Sequence, residues 1–281
     1  MQKFDSNMIM LVLLFASCIY LVVGLILNIP ISSTMFMIGL IMIFLLIVII
    51  HGWKTLGPRE LLVFFLIAYG IALFYEFTDG GGFGDLVNCS PHYSDLLGPK
   101  FLGKTPYIIP LSWTMAIYCS FTMTNILFNR LKTTPKSEES ISHRWFLKIV
   151  GMGFVTGLIM TSWDLINDPV MVKMGAWSWS YNGSYYGIPL WNYEAWIEIP
   201  AVIFVIFSFY LYKVKKSQIY IDGKKQSSYT LFVVVLYLAL LLIYVIYAVY
   251  EAVMYVIPWA AMTMVPIAVI TVIQFYRFNS K

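Results

Sequence analysis

The segment from residue 163 to residue 196 begins at the end of one long apolar run and stops where the next begins; it reads W-D-L-I-N-D-P-V-M-V-K-M-G-A-W-S-W-S-Y-N-G-S-Y-Y-G-I-P-L-W-N-Y-E-A-W. A connection that only joined two helices would be short. This one is long and aromatic, and it carries Asp164, Asp168 and Glu194, with Glu198 just beyond it. The sequence predicts that the segment lies at a membrane boundary and forms part of an active site.

The composition of the whole chain is that of a membrane protein. Its 281 residues are 60 % hydrophobic and only 11 % charged, whereas soluble domains carry about 25 % charged residues. The net charge of +4 does not indicate a nucleic-acid partner, because the basic residues fall in loops. The three cysteines are scattered, which argues against a disulfide framework or a zinc site. The first apolar run has no small-residue cleavage site after it, so we expect a retained helix.

Eight apolar runs approach the length of about 20 residues that a transmembrane helix needs. They are residues 8–27, 31–50, 61–77, 108–128, 146–163, 197–212, 229–250 and 253–276. The first two are joined by a tight turn at Asn28-Ile29-Pro30, and Pro258 and Pro266 predict a kinked eighth helix. We therefore predict an all-α polytopic membrane protein of about eight helices, with residues 1–281 forming a single domain.

The distribution of charge predicts the topology. With the N-terminus inside, only three of the 18 Lys and Arg residues fall in outer segments, namely Lys100, Lys104 and Lys173. Cytoplasmic loops carry an excess of Lys and Arg, so both termini are expected in the cytoplasm of a multi-pass protein of the cell membrane. The two long outer loops are then residues 78–107 and 165–193.

Acidic residues at the predicted outer ends of the helices are the candidate catalytic groups, because ionisable side chains in a membrane span are costly and usually functional. Glu76 ends the third span and Asp164 the fifth, and Glu198 lies at the start of the sixth. Glu194 shares a helix face with Glu198 if that helix begins by residue 193. Asp168 precedes a proline, which favours a turn. Partial burial of such carboxyls favours a general acid that keeps its proton near neutral pH.

Aromatic residues are dense around these acids. Trp and Tyr gather at membrane interfaces in any protein, so they could form an anchoring belt. They could equally form a wall that binds a polyene and stabilises a carbocation by cation–π attraction. The candidate substrate-binding residues are Trp113, Trp163, Trp177, Trp179, Tyr185, Tyr186, Asn192 and Trp196.

The histidines and lysines exclude several kinds of membrane enzyme. His51 and His143 are assigned to inner loops and His92 to an outer loop, without the paired spacing of a di-iron site. The predicted spans hold no lysine, so a retinal Schiff base is not expected. The sequence also lacks G-x-S-x-G and G-x-G-x-x-G motifs. Proton chemistry by carboxyls on an apolar substrate remains, and it needs no cofactor or metal.

Several motifs resemble one family. They are Glu76 with Phe83-Gly84, then Pro106-x-x-x-Pro110-x-x-Trp113, Trp163-Asp164-x-x-x-Asp168-Pro169-x-Met171, Gly175-x-Trp177-x-Trp179, Gly183-x-Tyr185-Tyr186-Gly187-Ile188-Pro189, Asn192 and Trp196. Residues 70–200 are similar in these motifs to the integral-membrane carotenoid biosynthesis proteins that include bisanhydrobacterioruberin hydratase and hydratases of the carotenoid 1′-hydroxylase type.

The resemblance implies addition of water across the terminal double bond of an acyclic carotenoid. A carboxylic acid would protonate the alkene, and a carboxylate would direct water to the tertiary cation. Asp164 and Asp168 match the family motif as acid and base and Glu76 as their partner, with the roles among them left open. The implied partners are the acyclic carotenoid, water, the lipid bilayer and other enzymes of carotenoid biosynthesis.

Two alternatives use the same residues. One is isomerisation or cyclisation of an isoprenoid by the same acids, which would leave the substrate mass unchanged. The other is a carotenoid- or lipid-binding protein or a transporter without enzymatic activity. Transporters place charges at the bilayer midplane between repeats, whereas these acids gather at one face and no internal repeat is evident.

Overall fold

The computed structural model describes residues 6–27, 34–78, 91–128, 143–180, 182–215 and 228–280. These ranges form α1 (Ser6–Ile26), α2 (Thr34–Thr55), α3 (Pro58–Phe77), α4 (Ile108–Leu127), α5 (His143–Lys173), α6 (Leu190–Lys215), α7 (Phe232–Tyr250) and α8 (Ile257–Asn279). Four two-residue strands join them, β1 (His92–Tyr93), β2 (Lys100–Phe101), β3 (Thr105–Pro106) and β4 (Trp177–Ser178). The predicted turn at 28–30, the Phe83-Gly84 motif and the basic loops at 129–142 and 216–227 lie outside the described residues.

The prediction of an all-α polytopic membrane protein is confirmed. Of the eight helices in the described ranges, all except α4 are long and apolar enough to cross a membrane. Helix α4 is the central helix: it packs against α2, α3, α5, α7 and α8. Its hydroxyl groups are satisfied inside the protein, since Thr114 and Thr122 each donate to the backbone carbonyl four residues earlier and Thr124 accepts from Thr156 of α5.

The predicted end of the fifth helix was wrong. Helix α5 continues ten residues past Trp163 to Lys173, with Pro169 inside it, so Asp168 is helical rather than part of a turn. Helix α6 begins at Leu190, so the predicted 165–193 loop is reduced to the connection at residues 174–189, which contains β4. The consequence for the site is large: Asp164 and Asp168 stand one helical turn apart on a single helix face.

Two glycines let α5 and α6 pack at very short range. A Cβ at Gly157 would lie 2.6 Å from the Cα of Ile197, and one at Gly153 would lie 2.9 Å from the backbone oxygen of Ala201. Small residues four apart allow backbones to approach in membrane proteins. This contact sets the distance between the carboxyls of α5 and the first turns of α6.

A buried polar cluster ties α2, α4 and the turn before α7 together at the end of the bundle opposite residues 174–189. His51 is 1 % exposed and lies in α2, so its assignment to a loop was wrong. Its Nδ1 lies 2.6 Å from the Tyr118 hydroxyl and its Nε2 lies 3.1 Å from the Tyr229 carbonyl oxygen. A neutral imidazole satisfies both contacts, because Nε2–H donates to the carbonyl and Nδ1 accepts from the hydroxyl.

A small ribbon covers the other end of the bundle, hereafter the capped end. Strand β1 pairs antiparallel with β4, which places Tyr93 opposite Trp177, and the Ser94 N–H donates to the Ala176 carbonyl at 2.9 Å. The ribbon joins the segment after α3 to the segment after α5. It therefore holds the ends of these two helices, and the acids on them, beside each other.

Candidate active site

A cavity opens beneath the ribbon at the capped end. Its volume is about 1220 Å³ when the space in its open mouth is included. The acidic and amide side chains of the lining meet at one end, together with Tyr93; they are Glu76, Asn167, Asp168 and Asn192. The remaining wall is apolar and comes mainly from α2, α4 and α7.

The apolar part of the cavity extends along the helices. Its lining runs from Ile108 to Cys119 on α4 and from Leu236 to Tyr247 on α7. At 1.5 Å per residue each of these walls is about 16 Å long. That is roughly half of the 30 Å hydrocarbon thickness of a bilayer. The cavity thus presents one polar end to an apolar channel that runs along the helices.

Two carboxyls of α5 form a buried pair at the polar end. Asp164 is 0 % exposed and Asp168 is 2 % exposed. Asn167 donates to Oδ1 of Asp164 at 2.9 Å, and Asn192 of α6 donates to Oδ2 of Asp164 at 3.2 Å and also to Oδ2 of Asp168. The two carboxyls thus share the Asn192 amide as a hydrogen-bond donor. Two carboxyls this close share a proton more readily than they carry two charges.

The two members of the pair differ in access to the cavity. Asp168 is part of the lining, whereas Asp164 lies behind it, enclosed by the two asparagines. A ligand in the cavity would therefore meet the Asp168 carboxyl, and Asp164 would act on the ligand only through Asp168.

Pro169 is accommodated in α5 by a side chain from the connection to α6. A proline has no N–H for the carbonyl four residues earlier, which is that of Leu165. The hydroxyl of Tyr185 donates to this carbonyl at 3.0 Å and replaces the missing bond. Tyr185 thereby supports the helical position of Asp168, and it does not line the cavity itself.

Glu76 reaches the same polar end from the last turn of α3. It is 8 % exposed, and its Oε2 accepts a 2.6 Å hydrogen bond from the Tyr93 hydroxyl. Burial, together with the charge of Glu76, raises the pKa of the Tyr93 hydroxyl well above its ordinary value, so Tyr93 remains a donor at physiological pH. The Asp164–Asp168 pair is close enough to influence Tyr93 electrostatically as well. The three acids therefore form one electrostatic group.

Aromatic side chains form the wall next to the acids. The Trp113 and Trp196 ring centroids are 4.4 Å apart, Trp163 meets Trp196 at 5.6 Å, and Trp163 meets Tyr244 edge-on at 5.5 Å. All four rings line the cavity. Trp177 of β4 and Trp179, which follows that strand, line it as well. A positive charge that formed beside Asp168 would lie among electron-rich ring faces.

The remaining candidate residues lie outside the cavity. Glu194 is exposed on the first turn of α6, and Glu198, although on the same helix as predicted, is half-buried beside Tyr75 of α3. Tyr186 is 44 % exposed, packs on Tyr255 at 4.7 Å and accepts a hydrogen bond from Trp259 of α8. The structure does not bring these three residues to the carboxyl pair.

Tyr93 and Asn167 contact the acids and were missed from the sequence. Asn167 lies between the two aspartates in the motif, three residues after Asp164. Residues three apart are neighbours on a helix surface, so this spacing would have indicated the contact if the helix had been predicted to continue through the motif. Tyr93 had no such signal, because it reaches Glu76 from a separate segment through the pairing of β1 with β4.

The fold and the site define an integral-membrane protein of the α-helical class, with an acid-lined end on a deep apolar cavity. The sequence matches the family described as carotenoid biosynthesis protein over residues 35–269, which is most of the chain. The chain belongs to that family, which confirms the resemblance seen in its motifs. No curated protein and no solved structure matches it.

Proposed function

We propose that this protein is a carotenoid hydratase, which adds water across the terminal carbon–carbon double bond of an acyclic carotenoid. The observation that carries the proposal is an apolar channel that ends at a buried carboxyl pair. At about 1.5 Å per lining residue, the channel is about 16 Å long. A polyene fits such a channel, and an alkene needs a strong local proton donor rather than a charged or polar binding site.

In the proposed first step, Asp168 transfers its proton to the less substituted carbon of the terminal double bond. The π electrons form the new C–H bond, and the neighbouring carbon becomes a tertiary cation. Asp164 and Asn192 stay hydrogen-bonded to one another beside the new carboxylate. Trp113, Trp163 and Trp196 surround the cation, and a desolvated cation on an indole face gains about 2 kcal/mol.

In the second step, the oxygen of a water molecule bonds to the cation, and Glu76 accepts the proton that the water loses. The product is a tertiary alcohol. Transfer of that proton from Glu76 to Asp168 restores the starting state. The sum is one alkene and one water giving one alcohol, so no oxidant, reductant or metal takes part in the balance.

The proposal is tested by expressing the protein in a membrane that contains lycopene or an elongated acyclic relative, and by measuring pigment masses. A product heavier by one water is expected, and in ¹⁸O-labelled water the new hydroxyl should carry the label. A product of unchanged mass would show isomerisation or cyclisation instead, and label from molecular oxygen would show an oxygenase. Pigment that is bound and not converted would indicate a binding protein.

The role of Asp168 is tested by Asp168→Asn, which keeps the size of the side chain and removes the transferable proton. We expect normal membrane insertion and a kcat lower by at least about 10²-fold, the lower end of what general acid catalysis contributes. The matched control is Asp95→Asn, because Asp95 lies at the same capped end but is exposed and paired with Lys100 at 2.8 Å. Equal turnover in the two variants would contradict the assignment.

We also propose the cell membrane as the location, with both termini in the cytoplasm. The basic residues support this orientation, because Lys100, Lys104 and Lys173 are the only Lys or Arg residues at the capped end within the described ranges. The site would then face the outer leaflet.

A further inference from the structure

Tyr93 occupies a special place between the ribbon and the acids. Its backbone belongs to β1, its carbonyl accepts a 2.8 Å hydrogen bond from Lys100 Nζ, and its ring lies edge-on to Trp177 at 6.0 Å. Its hydroxyl points into the polar end of the cavity and donates to Glu76 at 2.6 Å. The backbone and ring of Tyr93 are thus held by three separate contacts, which leaves its hydroxyl little freedom.

The ribbon brings the two sides of the site together through this residue. Tyr93 faces Trp177 in the strand register, and the Trp177 indole lies close to the Asp168 carboxyl. Tyr93 contacts Glu76 of α3, while Trp177 adjoins Asp168 of α5. One pair of strand residues therefore lies next to both cavity-facing carboxyls.

We propose that Tyr93 is a positioning residue, which holds the Glu76 carboxylate at the polar end of the cavity, where it accepts a proton from the water that captures the cation. The inference rests on the proposed hydration. A hydroxyl that donates to a carboxylate stabilises its ionised form, and Glu76 must be ionised to accept the proton of the water. The hydrogen bond also restrains the rotation of the carboxylate.

The first experiment compares Tyr93→Phe with Tyr107→Phe in the full chain, each embedded in membranes that contain the acyclic carotenoid. Tyr107 is a matched control, because it lies in the same segment and its side chain is 46 % exposed outside the cavity lining. We expect Tyr93→Phe to lower kcat by about 10- to 100-fold, the value of a hydrogen bond to a charged group. KM should stay within about twofold, because Phe keeps the ring contact with Trp177.

The second variant asks whether Tyr93 acts through Glu76. In a Glu76→Gln background, Tyr93→Phe should lower kcat no further than about twofold, because the charge that it serves is gone. Independent losses that multiply in the double variant would overturn the proposal. A Tyr93→Phe protein with wild-type kcat would overturn it as well.

A labelling measurement separates this inference from the proposed function. Hydrophobic carbodiimides modify protonated carboxyls, and the modified peptide is quantified by mass spectrometry. At pH 7 we expect Tyr93→Phe to increase labelling of Glu76 by at least about threefold, because the carboxylate loses a hydrogen-bond donor that favours its ionised form, and Tyr107→Phe to leave it unchanged. If the wild type hydrates nothing and this increase is still seen, the hydratase proposal fails and the positioning of Glu76 stands. If labelling does not change, the positioning role is refuted whatever the activity.

Discussion

Replacing Gly157 with alanine tests how the contact between α5 and α6 builds the site. The added Cβ would lie 2.6 Å from the Cα of Ile197 and would also contact the Ile197 carbonyl oxygen. Ordinary van der Waals contact begins at 3.4 Å, so the helices must separate by about 1 Å. Both partners are backbone atoms, which cannot move aside by a change of rotamer.

The separation of the two helices affects both the stability of the protein and the geometry of the site. Overpacking lowers the free energy of unfolding by about 1–3 kcal/mol. The higher helix propensity of Ala offsets about 1 kcal/mol of this loss. The Asn192–Asp164 hydrogen bond, already 3.2 Å long, would lengthen to about 4 Å, beyond bonding distance. Asp168 would then lose its alignment with the cavity, and a misplacement of 1 Å can cost about 10²-fold in rate.

The assay measures thermal stability of the detergent-solubilised protein and turnover of carotenoid in membranes. Gly157→Ala should melt a few degrees below wild type and lose about 10- to 100-fold in kcat. Gly151→Ala on the same helix is the control, because its Cβ would meet nothing within 4 Å. If the two variants have the same melting temperature and the same turnover, the close contact does not position the site, and the reasoning is refuted.

Two further predictions follow from other parts of the chain. Tyr185→Phe removes the donor to the Leu165 carbonyl beside Pro169, so we expect a loss of about 1–3 kcal/mol in stability from the unsatisfied carbonyl, measured by thermal melting; a melting curve identical to wild type would contradict it. A cysteine introduced at Lys224 should resist an impermeant thiol reagent in intact cells and react after lysis, because both termini and the basic loops are predicted to be cytoplasmic. Reaction in intact cells would reverse the predicted topology.

The amino-acid sequence determined the class of the protein, because hydrophobicity acts locally. A helix that faces lipid must be predominantly apolar and must satisfy its backbone polar groups within itself, so its signal lies in one continuous segment. The all-α architecture and the identity of the acid-rich region were therefore readable from single segments. The family motif could be recognised in the same way, and it singled out Asp164 and Asp168.

Only the tertiary structure decided where α5 ends and which acid faces the cavity. The local preference of Asp168 before Pro169 is for a turn, but the Tyr185 hydroxyl satisfies the carbonyl that Pro169 leaves free, and the helix continues. The burial of Asp164 behind Asp168 depends on Asn192 of another helix, brought near by Gly157. Tyr93 meets Glu76 through strand pairing between separate segments. Such contacts join residues that are far apart in the chain, so no local sequence pattern indicates them.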